Sequence, residues 1–105
     1  MKLYEIAIPL CNNAGLSTTP ERKAWEKTVL KLSGGYTRLP AADGAWGDDS
    51  GKVFLDRVYS YRLACSAEVF AAVLAEAFRV FSDQLAIFTA EIGTATIHER
   101  KKEAA

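Results

Sequence analysis

The order of hydrophobic periods along the chain is the feature that most limits its fold. Residues 3–10 alternate apolar and other side chains with period two, and so do residues 58–63 within a predicted strand over residues 53–65, which is typical of half-buried strands. Residues 66–82 place apolar side chains on one arc of a helix, the strongest periodic signal in the sequence. A second helix is predicted over residues 19–33, with Thr19 as its cap and Pro20 in its first turn.

Two further strands complete the order. Residues 36–39 follow the pair Gly34-Gly35, which ends the first helix, and residues 85–90 are rich in apolar side chains. The order β-α-β-β-α-β with right-handed crossovers predicts an α+β, ferredoxin-like sandwich: a four-stranded antiparallel sheet with two helices on one face. Residues 94–97 either extend the last strand or form a short fifth one. At this length we expect a single domain over residues 1–105.

The segment from residue 34 to residue 52 holds five of the seven glycines, but it does not have the pattern of a phosphate-binding loop. Gly47 and Gly51 are separated by three residues, whereas that loop needs four, and the segment leads into a strand instead of a helix. Asp43, Asp48 and Asp49 lack the alternate spacing of a calcium loop. We interpret the segment as the long, irregular connection of a hairpin.

Charge and cysteine usage exclude several classes of function. Thirteen basic residues balance thirteen acidic ones, so we expect neither a nucleic acid nor a membrane as partner. The N-terminal residues lack the features of a signal peptide, which predicts a cytoplasmic protein. One histidine and two cysteines do not form a metal-binding pattern, so we predict neither a metal site nor a cofactor. Cys11 and Cys65 should lie at opposite ends of neighbouring antiparallel strands, too far apart to form a disulfide.

Three short motifs carry a resemblance to a known group of proteins. They are Gly34-Gly35-Tyr36-Thr37, Gly44-Ala45-Trp46 and the beginning of the last strand at residues 84–88. With them the chain resembles a family of small bacterial proteins that has a βαββαβ layout and no assigned activity. The resemblance implies the ferredoxin-like fold and no catalytic residues.

Our first functional hypothesis is a non-catalytic homodimeric module that binds a partner or a ligand. The sheet face away from the helices should carry small and apolar side chains together with Arg62, which we expect to pair with Glu5 on the neighbouring strand. We therefore predict a homodimer formed through this open face or the sheet edges. Trp46 lies in a polar segment and either packs across the end of the sheet or lines an interface or a ligand-binding mouth.

The alternative hypothesis is a small cofactor-free enzyme of the dimeric α+β barrel type, acting on a small organic molecule. Its pocket would lie between the sheet and the helices, and Arg38 or Arg62 would bind an anion there. Such a pocket should measure at least ~300 Å³. The side chains expected to line it are Trp25, Trp46, Tyr59 and Tyr61. His98 is predicted to be an exposed residue at a strand end, without a catalytic role.

Overall fold

Five strands and two helices make up the chain in the computed structural model, which describes residues 1–101. In chain order they are β1 (Lys2–Pro9), α1 (Thr19–Ser33), β2 (Thr37–Arg38), β3 (Ala42–Gly47), β4 (Val53–Cys65), α2 (Ala67–Val80) and β5 (Thr89–Thr94). The strands form one antiparallel sheet in the order β2-β4-β1-β5, and β3 also pairs with β4. This arrangement confirms the predicted ferredoxin-like α+β sandwich.

The core lies between the helices and one face of the sheet. Tyr4, Ile6 and Ile8 alternate along β1 and are all buried, as the period-two pattern predicts. The Tyr4 ring stacks on Phe70 of α2 with centroids 4.2 Å apart, and Trp25 of α1 meets Tyr61 of β4 edge to face at 4.9 Å. Each large apolar side chain buried here contributes about 1.5–3 kcal/mol to folding.

The helix ends agree with the sequence at two of the three positions predicted above, and Ser66 adds a further cap. The Ser66 hydroxyl accepts a hydrogen bond from the Val69 amide and so caps α2. Gly34 ends α1 in the left-handed conformation, with φ of 82°. Pro20 lies in the first turn of α1, but the cap position belongs to Thr18 instead of Thr19. The Thr18 hydroxyl donates to the Pro9 carbonyl at 2.7 Å, so it joins the beginning of α1 to the end of β1.

The predicted irregular connection contains a strand. Residues 42–47 form β3 and pair with residues 53–58 of β4, with Trp46 opposite Phe54. A tight turn joins the two strands, in which the Asp48 carboxylate accepts hydrogen bonds from the Ser50 and Lys52 amides. We call residues 42–58 the arm. The molecule measures 65 Å along its longest axis against 27 Å and 25 Å along the others.

The last strand lies later in the chain than predicted. It spans Thr89–Thr94 and not residues 85–90, and the fifth strand of the sheet is β3, not residues 94–97. The Ala7 amide donates a hydrogen bond to the Phe88 carbonyl. In the antiparallel register, residues 85–87 would therefore lie opposite Ile8 and the residues that follow it. Pro9 has no N–H to donate there, which explains why the pairing begins at Phe88.

Both cysteines are free, as predicted. Cys65 pairs with Lys2 at one end of the sheet, and Cys11 follows β1 at the other end. His98 is exposed and lies outside the strands. The end of the predicted single domain, residues 102–105, lies outside the described residues.

Candidate functional site

A groove of about 1410 Å³ runs between the arm and the two loops that approach it. The loop after β1 contributes residues 10–13, and the segment before β5 contributes residues 84–88. The groove is larger than the ~300–1,000 Å³ of most small-molecule pockets and is open to solvent. Its size therefore suits a polypeptide segment better than a metabolite. Its large apolar lining residues include Trp46, Phe54, Leu55, Leu85 and Phe88.

The sheet register brings the aromatic residues of the groove together. Trp46 and Phe54 are directly opposite each other on β3 and β4, so both side chains lie on the same face of the arm. The Trp46 ring lies 6.1 Å from the ring of Phe88. All three residues remain about half exposed. An apolar patch of this kind on an isolated chain is typical of an interaction surface.

Charged residues border this patch. Arg57 Nε lies 3.1 Å from the Asp43 carboxylate on the exposed surface of the arm. Asp56 has no basic side chain within 4.0 Å among residues 1–101, and it is partly buried in the groove. Burial raises the pKa of the Asp56 carboxyl, and a hydrogen bond from the Arg57 amide only partly opposes this effect.

A second cluster of polar side chains lies where α1 meets β2 and β4. The Tyr61 hydroxyl donates to Glu26 Oε2 at 2.5 Å, and Arg38 Nη1 lies 3.5 Å from the same oxygen. Glu26 is mostly buried, with 14% of its side chain exposed. Burial, followed by the hydrogen bond to Glu26, raises the pKa of the Tyr61 hydroxyl far above its usual value. Tyr61 is therefore a hydrogen-bond donor here and not a proton source.

Two guanidinium groups pack against the ring of Tyr59 in this cluster. The Cζ atoms of Arg22 and Arg38 each lie 4.7 Å from the centre of the Tyr59 ring, a distance typical of cation–π contacts. Arg22 also donates to the Thr18 hydroxyl at 3.0 Å and to the Thr19 hydroxyl at 2.9 Å. We refer to Arg22, Glu26, Arg38, Tyr59 and Tyr61 as the arginine cluster.

The five residues that we singled out from the sequence lie in three places. Arg38, Tyr59 and Tyr61 come together in the arginine cluster, whereas Trp46 lines the groove. Arg62 lies on the open face of the sheet, where its Nε is 3.4 Å from Glu5, as predicted.

Two of the four residues predicted to line the cavity of the enzyme hypothesis border no open space. Trp25 and Tyr61 have no exposed surface, so their rings fill the space between α1 and the sheet.

Arg22 and Glu26 were missed by the sequence reasoning. Their spacing of four residues places them on one face of α1, and this was the only available signal.

The fold defines a small ferredoxin-like α+β protein, and the comparisons agree with it. No protein-family model and no curated protein matches the chain. Its fold is similar to a solved structure of the periplasmic divalent cation tolerance protein CutA from Archaeoglobus fulgidus, with a TM-score of 0.64 and 16% identity over 96% of this chain and 87% of that one.

Two further solved structures share the fold. CutA1 from Oryza sativa gives a TM-score of 0.62 at 10% identity, covering 92% of this chain and 82% of that one. A point mutant of CutA1 from Pyrococcus horikoshii OT3 gives 0.56 at 14% identity, covering 91% and 87%. At these identities the likeness establishes the fold. The three structures support the ferredoxin-like layout of the predicted resemblance, whereas its bacterial source and its lack of an assigned activity stay predictions.

No helix within residues 1–101 is long and apolar enough to cross a membrane.

Proposed function

We propose that the chain is a non-catalytic module that works by self-association, with a homodimer as its smallest working form. The observation that carries this proposal is the concentration of exposed, large apolar side chains on the arm and beside it. Leu55 is 83% exposed and Val53 is 62% exposed, although both lie in a regular strand. Side chains of this type are usually covered in the functional state of a protein.

The backbone of the arm supports the same proposal. Residues 53–56 of β4 pair with β3 along one edge, and within residues 1–101 no strand pairs with their other edge. β1 ends at Pro9, opposite Val58, and only the Leu10 amide reaches further, to the Arg57 carbonyl. An open strand edge next to apolar side chains is a template for a further strand.

A second copy of this chain is the occupant that we propose. One arm presents both an open strand edge and an apolar surface. Two arms related by a twofold axis would therefore pair through their open edges and cover each other's apolar side chains. The face of the arm that carries Trp46 and Phe54 continues into the open face of the sheet through the half-buried residues Ala7, Val58 and Ser60. Val53 and Leu55 lie on the other face of the arm, because side chains alternate along a strand. In this proposal the arm and the open face form one contact region.

The proposal contains no resident metal ion. The name of the Archaeoglobus protein refers to divalent cation tolerance, a role that we do not propose for this chain. Residues 1–101 contain no group of three or more His, Cys, Asp or Glu side chains that could hold a metal ion. A cytoplasmic location and a single domain over residues 1–105 remain predictions from the sequence.

Sedimentation velocity over a range of protein concentrations tests the proposal. We expect the wild type to associate at micromolar concentration, and Leu55→Asp to weaken association at least ~10-fold because burial of a leucine is worth about 1.5–3 kcal/mol. Leu16→Asp is the matched control, since Leu16 is 65% exposed and does not line the groove, and it should associate like the wild type. A wild-type chain that stays monomeric at high micromolar concentration would contradict the proposal.

A further inference from the structure

Arg22 carries a positive charge into the interior of the molecule. The residue is only 9% exposed, and its two hydrogen bonds go to the neutral hydroxyls of Thr18 and Thr19. Within residues 1–101, no carboxylate oxygen lies within 4.0 Å of its guanidinium nitrogens. Buried charges in proteins are usually paired, because removing them from water is costly. The charge of Arg22 therefore lacks a counter-ion within the described chain.

Arg38 adds a second positive charge in the same place. Its guanidinium shares the Tyr59 ring with that of Arg22, with both Cζ atoms 4.7 Å from the ring centre. Glu26 supplies the one carboxylate that contacts either arginine within residues 1–101, and Tyr61 already donates a short hydrogen bond to it. Two guanidinium groups and one carboxylate leave an excess of one positive charge in the cluster.

The geometry points to a binding site for a small oxyanion, a carboxylate or phosphate group, held by Arg22 and Arg38 of the arginine cluster. Guanidinium groups donate pairs of N–H bonds that match these oxyanions. Arg38 exposes 45% of its side chain, so a ligand can reach the site from solvent on that side. The contacts with Tyr59 hold both guanidinium groups in place before the ligand arrives, which lowers the entropy cost of binding.

This inference is independent of self-association. We call residues 59–65 of β4, which pack against the helices, the sandwich half of that strand. The groove is lined by the arm and by the loops next to β1 and β5, whereas the arginine cluster lies at α1, β2 and the sandwich half of β4. Binding can therefore be measured on Leu55→Asp, which we expect to associate more weakly, as well as on the wild type. The two proposals can then fail separately.

Inorganic phosphate and acetate are the probes, titrated against chloride at constant ionic strength. Binding is followed through the side-chain Nε–H signals of the arginines in ¹H–¹⁵N spectra. We expect saturable shifts of the Arg22 and Arg38 signals with at least one of the two anions. Tighter binding of phosphate would identify phosphoryl ligands as the class, and tighter binding of acetate would identify carboxylates.

Three variants complete the test. Arg38→Gln should bind roughly tenfold more weakly, because a hydrogen bond to a charged group is lost. Arg79→Gln is the matched control: Arg79 is an exposed arginine of α2 that pairs with Glu76, and its loss should leave the affinity unchanged. Arg22→Gln should abolish saturable binding. If that variant does not fold, the affinity of Arg38→Gln decides alone. Absence of saturable binding of both anions to the wild type, or wild-type affinity in Arg38→Gln, would overturn the inference.

Discussion

Both halves of strand β4 carry large apolar side chains, but these side chains have very different environments. In the half next to the helices, Tyr61 and Leu63 have no exposed surface, whereas Leu55 in the arm half is 83% exposed. The helices pack against the half that contains Tyr61 and Leu63 and do not reach the arm half. Nothing within residues 1–101 therefore covers Leu55. The comparison teaches that apolar side chains can predict a strand without showing what covers them. In this chain α1 and α2 cover the half of β4 next to the helices, and we propose that a second copy covers the arm half.

A matched pair of tryptophan variants should show the largest difference between the two regions. Trp25 is fully buried against Tyr61 and Phe81, so Trp25→Ala should lower the free energy of unfolding by about 3–5 kcal/mol. Trp46 in the arm is 47% exposed, so Trp46→Ala should lower it by no more than about 1.5 kcal/mol in the monomer. Urea denaturation at low protein concentration measures both values, and equal losses would refute the distinction between core and arm.

Loss of a polar contact should also lower the free energy of unfolding more in the core than in the arm, but the difference should be smaller than for the tryptophan variants. Tyr61→Phe removes the hydroxyl that donates to the mostly buried Glu26, and we expect a loss of about 1–3 kcal/mol in the free energy of unfolding. Asp43→Asn in the arm removes an exposed ion pair with Arg57, for which we expect a loss of about 0–1 kcal/mol. The same urea experiment applies. A larger loss for Asp43→Asn than for Tyr61→Phe would be inconsistent with our description of the two regions.

The smallest expected effect concerns Asp56 and depends on pH. Burial raises the pKa of this carboxyl in the folded chain, so the folded state favours the protonated form. The contribution of Asp56 to stability is therefore most favourable below the unfolded pKa of about 4 and is lost as the pH rises through the higher folded value.

Asp56→Asn removes this titration and should make the chain slightly more stable than the wild type at neutral pH, with no such gain below about pH 4. Thermal unfolding of both proteins at the two pH values measures the difference. A gain of the same size at both values would assign the effect of the substitution to packing instead of charge.

The sequence predicted those features that local periodicity determines. The alternation of Tyr4, Ile6 and Ile8 and the apolar arc of the second helix led to the correct sandwich and to the correct pairing of Glu5 with Arg62. Strand β3 was missed because Gly44 and Gly47 disfavour strands locally, while its pairing with β4 is a tertiary property that overrides this preference.

The candidate site was predicted only in part. The sequence named Arg38, Tyr59 and Tyr61 among its pocket candidates, together with Arg62, Trp25 and Trp46. It could not show that Arg22 and Glu26 turn towards the first three of these, because spacing along a helix indicates a shared face but not the neighbour of that face. For the same reason, the sequence placed Trp46 in a polar segment without showing its contact with Phe88.

Amide hydrogen exchange at two protein concentrations tests the central claim most directly. The claim is that helices α1 and α2 complete the sandwich half of β4 within one chain, whereas a second copy completes the arm. We predict that the amides of Tyr61 and Leu63 are protected equally at low and high micromolar concentration, while those amides of residues 53–56 that do not bond to β3 become protected only at the higher one. Protection of the arm that does not change with concentration, while sedimentation shows a monomer throughout, would contradict the account.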